Sequence, residues 1–107
     1  MAWIYLIVAG VLEIFWAVGL KLSQGFTRPG WTVATVIAMI LSFIALAQAV
    51  RTIPLGTAYA VWTGIGAVGA AAAGIILFQE PRTAARLACI ALIVAGIAGL
   101  KLTAPGG

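Results

Sequence analysis

Ala2–Leu20 reads AWIYLIVAGVLEIFWAVGL, and Glu13 is its only charged residue. A helix needs about 20 consecutive apolar residues to cross a hydrocarbon core of ~30 Å. This stretch has that length and is followed by Lys21, a basic residue of the kind that anchors a span at the membrane surface. It therefore predicts a membrane-spanning helix over about residues 2–20, with an acid near its middle.

The rest of the chain repeats this apolar pattern. Further spans are predicted over about residues 31–50, 55–78 and 84–102, with a short polar tail at 104–107. The chain is 64% hydrophobic and 7% charged with a mean hydropathy of +1.22, whereas soluble domains carry about 25% charged residues. We therefore expect an all-α membrane protein, a single four-helix transmembrane domain over residues 1–107, with no room for an extramembrane domain.

The net charge of +4 reflects six basic residues spread along the chain. They are Lys21, Arg28, Arg51, Arg82, Arg86 and Lys101. Each lies at or near the end of a span, which indicates anchors and topology signals rather than the clustered patch that binds nucleic acid. Four lie on the side of the first and third loops and two on the other side. This thin bias is compatible with insertion in both orientations.

Glu13 has no Lys, Arg or His within seven residues on either side. An ionised carboxylate at bilayer depth costs about 2.5–3.5 kcal/mol on insertion scales, so an acid there indicates a functional site. A purely structural carboxylate would need a fixed partner, and the chain offers no obvious one. We expect its partners to be a proton and a cation that exchange, which indicates a transporter.

Other candidate site residues share the helix faces around this acid. Trp16 lies three residues after Glu13 and Gly10 three residues before it, so an indole N–H and a bare backbone flank the carboxylate. On the third span Tyr59 and Trp62 are also three apart and can line a cation site. Core packing is the alternative interpretation of all these aromatic residues.

Small residues mark faces on which helices approach closely in lipid. Ser42 belongs to such a face of the second span, although a serine in a span can also bond its own backbone. The fourth span carries a longer stripe at Ala84, Ala88, Ala91, Ala95 and Gly99. This stripe is compatible with packing inside the chain or with the seam of a dimer.

Glycines interrupt the third span, with Gly64 and Gly66 near its middle. Glycine is common where helices bend or pass backbone to backbone, so these two residues predict either a hinge or a close packing contact. Glu80 lies in a turn near Arg82 and Arg86, which predicts a solvated interfacial ion pair.

The chain lacks the residues of a metal site. It has no His and one cysteine, Cys89, which we expect to be a small buried residue. A structural zinc site is thereby excluded, and we expect neither a cofactor nor enzymatic chemistry.

Several motifs together resemble the small multidrug resistance family over essentially the whole chain. They are Glu13 in span one, GFTR at 25–28, IPLGTAYAVW at 53–62 and GIG at 64–66. Within that family, EIFW at 13–16, WTGIG at 62–66 and FQEP at 78–81 are similar to the guanidinium-exporter branch. The multidrug branch typically has a small residue in place of Trp16 and an aromatic one in place of Met39.

The resemblance implies an antiparallel, dual-topology homodimer in the bacterial inner membrane that exchanges protons for guanidinium and small substituted guanidinium ions. Both copies of Glu13 would line one central site. Trp16 and Ser42 would hold the carboxylates, Tyr59 and Trp62 would form its walls, and Gly10 would lie beside it.

Three other functions are compatible with parts of the pattern. The main alternative is a broad exporter of lipophilic quaternary ammonium cations with the same fold. A proton-carrying ring subunit of a rotary ATPase also has one buried carboxylate per chain, but such subunits form large rings, and here the glycines lie in span three whereas the acid lies in span one. An accessory subunit would pair Glu13 with a basic residue of a partner.

Overall fold

Four helices make up the protein, as a computed structural model describes it over residues 1–103. They are α1 (Ala2–Leu22), α2 (Pro29–Ala49), α3 (Leu55–Phe78) and α4 (Ala84–Thr103). Each is long and apolar enough to cross a membrane, and residues 1–103 contain no strand. The prediction of an all-helical chain with four apolar spans is confirmed; the predicted tail at 104–107 lies outside the described residues.

The helix ends follow from local chemistry and extend one or two residues beyond most of the predicted spans. α2 begins at Pro29 rather than residue 31, because proline at the first helical position loses no hydrogen bond. α1 and α4 run on to Leu22 and Thr103, whereas α2 stops one residue early, at Ala49. The hydroxyl of Thr83 accepts the Arg86 backbone N–H at 3.3 Å and caps α4.

α1 is the central helix of the chain. It packs along both α2 and α3, whereas α2 and α3 touch each other little. α4 packs mainly against α3, and near its end Lys101 Nζ lies 4.7 Å from the centroid of the Trp3 ring of α1. Glycines bring α1 and α3 together, since a Cβ added at Gly69 would overlap the Ile14 side chain. The buried core consists of Leu6, Ala9, Ala45, Ala49, Ile53, Ala58, Val61 and Trp62.

The small-residue stripe of α4 faces away from the rest of the chain. Ala84, Ala88, Ala91, Ala95 and Gly99 are all exposed, and α4 contributes no buried residue. The side of α4 that contacts α3 carries Ile93 and Ile97, which lie close to Gly64. At 100° per residue this side is opposite the stripe. Packing inside the chain therefore does not explain the stripe, and Cys89, expected to be buried, is exposed on α4.

We expect Gly69→Ala to destabilise the fold by about 1–3 kcal/mol, because the new methyl group must displace Ile14 from the α1–α3 contact. The measurement is reversible unfolding in detergent micelles, followed by helical circular dichroism. Gly56→Ala is the matched control, since a Cβ there meets nothing within 4 Å. Equal stability of the two variants would contradict the close contact.

Candidate functional site

Glu13 lies in the middle of α1 with its side chain directed at α3. A Cβ added at Gly66 would overlap the Glu13 carboxyl group, so the absence of a side chain at residue 66 makes the space that this group occupies. Both residues are candidate site residues by sequence, but their contact is not predictable from it. Gly66 is thus a wall of the candidate site in this conformation.

Two polar atoms of this site are buried without a partner. Neither Glu13 Oε1 nor Trp16 Nε1 has a hydrogen-bond partner within residues 1–103, and the ion pairs of this part of the chain do not include Glu13. Buried polar atoms are nearly always paired, and an unpaired one costs free energy. A carboxylate acceptor and an indole donor are therefore both available to an external ligand, a proton or a second chain.

Ser42 connects three helices. Its buried hydroxyl donates to the Ala9 backbone carbonyl of α1 at 2.7 Å and accepts the Trp62 Nε1–H of α3 at 3.1 Å. A hydroxyl has only one hydrogen to donate. In this conformation Ser42 therefore does not donate to Glu13, the partner implied by the resemblance; it fixes Trp62 relative to α1 instead.

A row of four aromatic rings runs from Trp16 on α1 to Tyr59 on α3. Trp16 lies 6.3 Å from Phe43 between ring centroids, Phe43 lies 5.8 Å from Trp62, and Trp62 lies 5.6 Å from Tyr59. Such a row presents π faces that attract cations. Phe43 was not predicted from the sequence, because it follows Ser42 directly and so does not share the helix face of that serine.

The remaining predicted site residues serve helix packing. A Cβ at Gly10 would lie 2.7 Å from Ile65 Cγ2, so this glycine admits a side chain of α3. A Cβ at Gly64 would lie 2.9 Å from Ile97 Cδ1, so this one admits α4. Because α3 is continuous through Gly64 and Gly66, both glycines act as close contacts here, and their role as a hinge stays a prediction.

Outside this site the charges are interfacial. Arg86 Nη2 lies 3.7 Å from Glu80 Oε1 and both side chains are partly exposed, which confirms the predicted surface pair. Within residues 1–103 no group of three or more His, Cys, Asp or Glu side chains could hold a metal ion.

The geometry defines a multi-pass membrane protein with an unpaired acid between two of its spans. The chain matches the Small Multidrug Resistance protein family over residues 1–93, and it belongs to that family. It is thus a transporter-family protein rather than an enzyme.

Individual relatives are similar over nearly their whole length. A protein of Citrobacter freundii is 58% identical over 103 residues, covering 96% of this chain and 98% of its own. One of Escherichia coli K12 is 59% identical with the same coverage. One of Salmonella typhimurium LT2 is 56% identical over 104 residues, covering 97% and 99%. All three are called guanidinium exporters.

We expect Ser42→Ala to lower the free energy of unfolding by about 1–3 kcal/mol, because it leaves the buried Trp62 N–H without its acceptor. The measurement is denaturation in detergent micelles. Thr63→Ala is the control: its hydroxyl is exposed and bonds only carbonyls of its own helix, so about 0.5 kcal/mol or less is expected. A Ser42→Ala variant as stable as this control would contradict the three-helix connection.

Proposed function

We propose that this protein is a proton-coupled antiporter that exports guanidinium and small substituted guanidinium ions across the bacterial inner membrane. Glu13 binds a proton or the substrate in turn, never both together. Export of guanidinium is the function named for the three relatives. The observation that carries the proposal is the Glu13 carboxyl group, which packs against Gly66 between α1 and α3 with its buried Oε1 unpaired.

Exchange follows from the cost of burying this charge. A proton removes the charge and a bound cation neutralises it, so either occupant relieves the cost. Because one carboxylate cannot hold both, arrival of a proton releases the cation and arrival of a cation releases the proton. Coupled transport results if the site opens to one side of the membrane at a time.

Guanidinium suits the groups available at this site. It is planar and rich in N–H donors, and its fork of two parallel N–H groups matches the two oxygens of a carboxylate. In the proposed site Glu13 accepts these bonds, and Tyr59 and Trp62 form the cation-binding walls. The indole N–H of Trp16, unpaired in this conformation, orients the carboxylate when the site is assembled. Ser42 positions Trp62, and Gly10 lets α1 and α3 approach beside the acid.

The transporting unit in this proposal is an antiparallel, dual-topology homodimer. A single chain leaves the small-residue stripe of α4 exposed on the side opposite α3, and this stripe suits close contact with a second α4. The thin charge bias permits both orientations, and two opposed copies supply the inverted repeat around a midplane site on which many transporters rely. Gly64 and Gly66 would then act as the hinge of alternating access.

We expect Glu13→Gln to abolish guanidinium-driven currents in proteoliposomes under a pH gradient while leaving the protein folded. The amide keeps the shape of the side chain but neither ionises nor binds a proton at neutral pH. Glu13→Asp is the matched control and should retain measurable exchange, because the carboxylate is kept. Helical circular dichroism and gel filtration would verify that both variants fold.

Three results of transport measurements with guanidinium and, separately, with tetrapropylammonium would contradict the proposal. Coupled transport by Glu13→Gln would remove the carboxylate from the mechanism. Flux of tetrapropylammonium without flux of guanidinium would favour the exporter of quaternary ammonium cations. If neither cation moved, Glu13 would be assigned to pairing with a partner protein.

We expect cysteine cross-linking to reveal the antiparallel α4 seam. In a Cys89→Ala background, Ala84→Cys alone should not cross-link to itself, because the two copies lie at opposite ends of the paired helices. Protein carrying Ala84→Cys mixed with protein carrying Gly99→Cys should cross-link between chains. Self-cross-linking of Ala84→Cys in native membranes would indicate a parallel dimer instead.

A further inference from the structure

A cavity with charged lining residues lies between α1 and α3, away from Glu13 toward the ends of these helices. It has a volume of about 290 Å³ and is lined by residues of α1, of α3 and of the turn after α3. Its polar lining includes Lys21 and Glu80, and its apolar lining includes Phe78. The proposed exchange at Glu13 uses none of these groups.

The cavity and Glu13 lie along the same faces of α1 and α3. Residues four apart share a helix face, so Glu13, Ala17 and Lys21 follow one line along α1. Gly66, Ala70 and Gly74 follow the facing line along α3. Ala17 and Ala70 both line the cavity. It therefore lies in the same groove as Glu13, with Lys21 about 12 Å away along the axis of α1.

Glu80 is folded back toward this groove. Gln79 has a left-handed backbone with φ of 53°, which reverses the chain after α3. The Glu80 backbone N–H then donates to the Gly74 carbonyl at 3.1 Å, and a Cβ at Gly74 would overlap the Glu80 carboxyl group. The carboxylate thus lies beside the C-terminal end of α3, whose carbonyl groups carry partial negative charge.

Two cationic side chains of this chain lie beside Glu80 and Phe78 at the end of α3. The Arg86 guanidinium lies 3.7 Å from Glu80, with 43% and 39% of the two side chains exposed. The Lys21 ammonium lies 5.3 Å from the centroid of the Phe78 ring. Exposed pairs of this kind are weak, about 0.2–1 kcal/mol, and both side chains are long and flexible. An incoming cation can therefore replace them.

We propose that this cavity is a vestibular binding site for the guanidinium cation on its way between the aqueous phase and Glu13. Glu80 and the Phe78 ring bind the cation, and Lys21 and Arg86 occupy their places when it is absent. The Arg86 side chain is itself a guanidinium group, so the structure contains the ligand's own chemistry at Glu80. The inference rests on the proposed function for its substrate; in an antiparallel dimer one copy of the site would open to each side.

This assignment is tested by neutralising neighbouring charges of opposite sign, because these substitutions should change the KM for guanidinium in opposite directions. Glu80→Gln should raise the KM for guanidinium about twofold to fivefold, as expected for loss of an exposed ion pair. Arg86→Gln and Lys21→Gln should lower KM, because they remove competing cations. If Glu80 and Arg86 only stabilised the turn, their substitutions would change KM in the same direction. Arg28→Gln removes a positive charge from the same side, away from the cavity, and should leave KM unchanged.

A binding measurement separates this site from the exchange at Glu13. In a Glu13→Gln background, guanidinium should shift the amide NMR signals of Gly74 and Glu80 in a saturable way, and equal potassium should not. The shifts should disappear when Glu80→Gln is added. Saturable shifts that persist without the Glu80 carboxylate, or no shifts at all, would overturn the vestibular site. Absence of guanidinium currents in the unmodified protein would overturn the proposed function, and this binding experiment would still decide the site.

Discussion

The arrangement of this chain depends on the contact between a carboxyl group and a glycine inside a bilayer. Glu13 can lie between α1 and α3 only because Gly66 has no side chain, and a methyl group there would overlap the acid. Burial removes the carboxylate from water at a cost of several kcal/mol, which a proton or a cation relieves. The same contact therefore brings two helices together and, in the proposed mechanism, leaves the acid free to bind a proton and a cation in turn.

Around this contact, hydrogen bonding and packing divide the helices into two groups. Ser42 bonds the backbone of α1 and the indole of Trp62, so α1, α2 and α3 form one unit around the acid. α4 packs mainly against α3 and exposes its small residues. α1, α2 and α3 thus surround Glu13, whereas α4 carries the exposed small-residue stripe that would contact a second chain in the proposed dimer.

A second acid with nearby cations lies at the ends of the helices, where the protein meets the aqueous phase. Glu80 turns back over the end of α3, where Arg86 and Lys21 are held by weak contacts. Weak, partly exposed contacts of this kind exchange readily. In the proposed vestibular site the Glu80 carboxylate can therefore take up a cationic substrate without trapping it. In the proposed mechanism Glu13 at the centre and the partly exposed Glu80 at the mouth serve successive steps of one path.

Composition and hydropathy alone determined the four spans, the acid in the first of them and the basic residues at their ends, because bilayer thickness and the cost of buried charge act on each residue separately. They did not determine which faces meet. Almost every side chain in these helices is apolar, so periodicity does not distinguish a face that contacts protein from one that contacts lipid. Only the tertiary structure shows that Gly66 packs against Glu13 and that the Ser42 hydroxyl donates to the Ala9 carbonyl. It also shows that Phe43 belongs to the aromatic row and that the small-residue stripe of α4 is exposed. Each of these depends on close packing between helices distant in sequence.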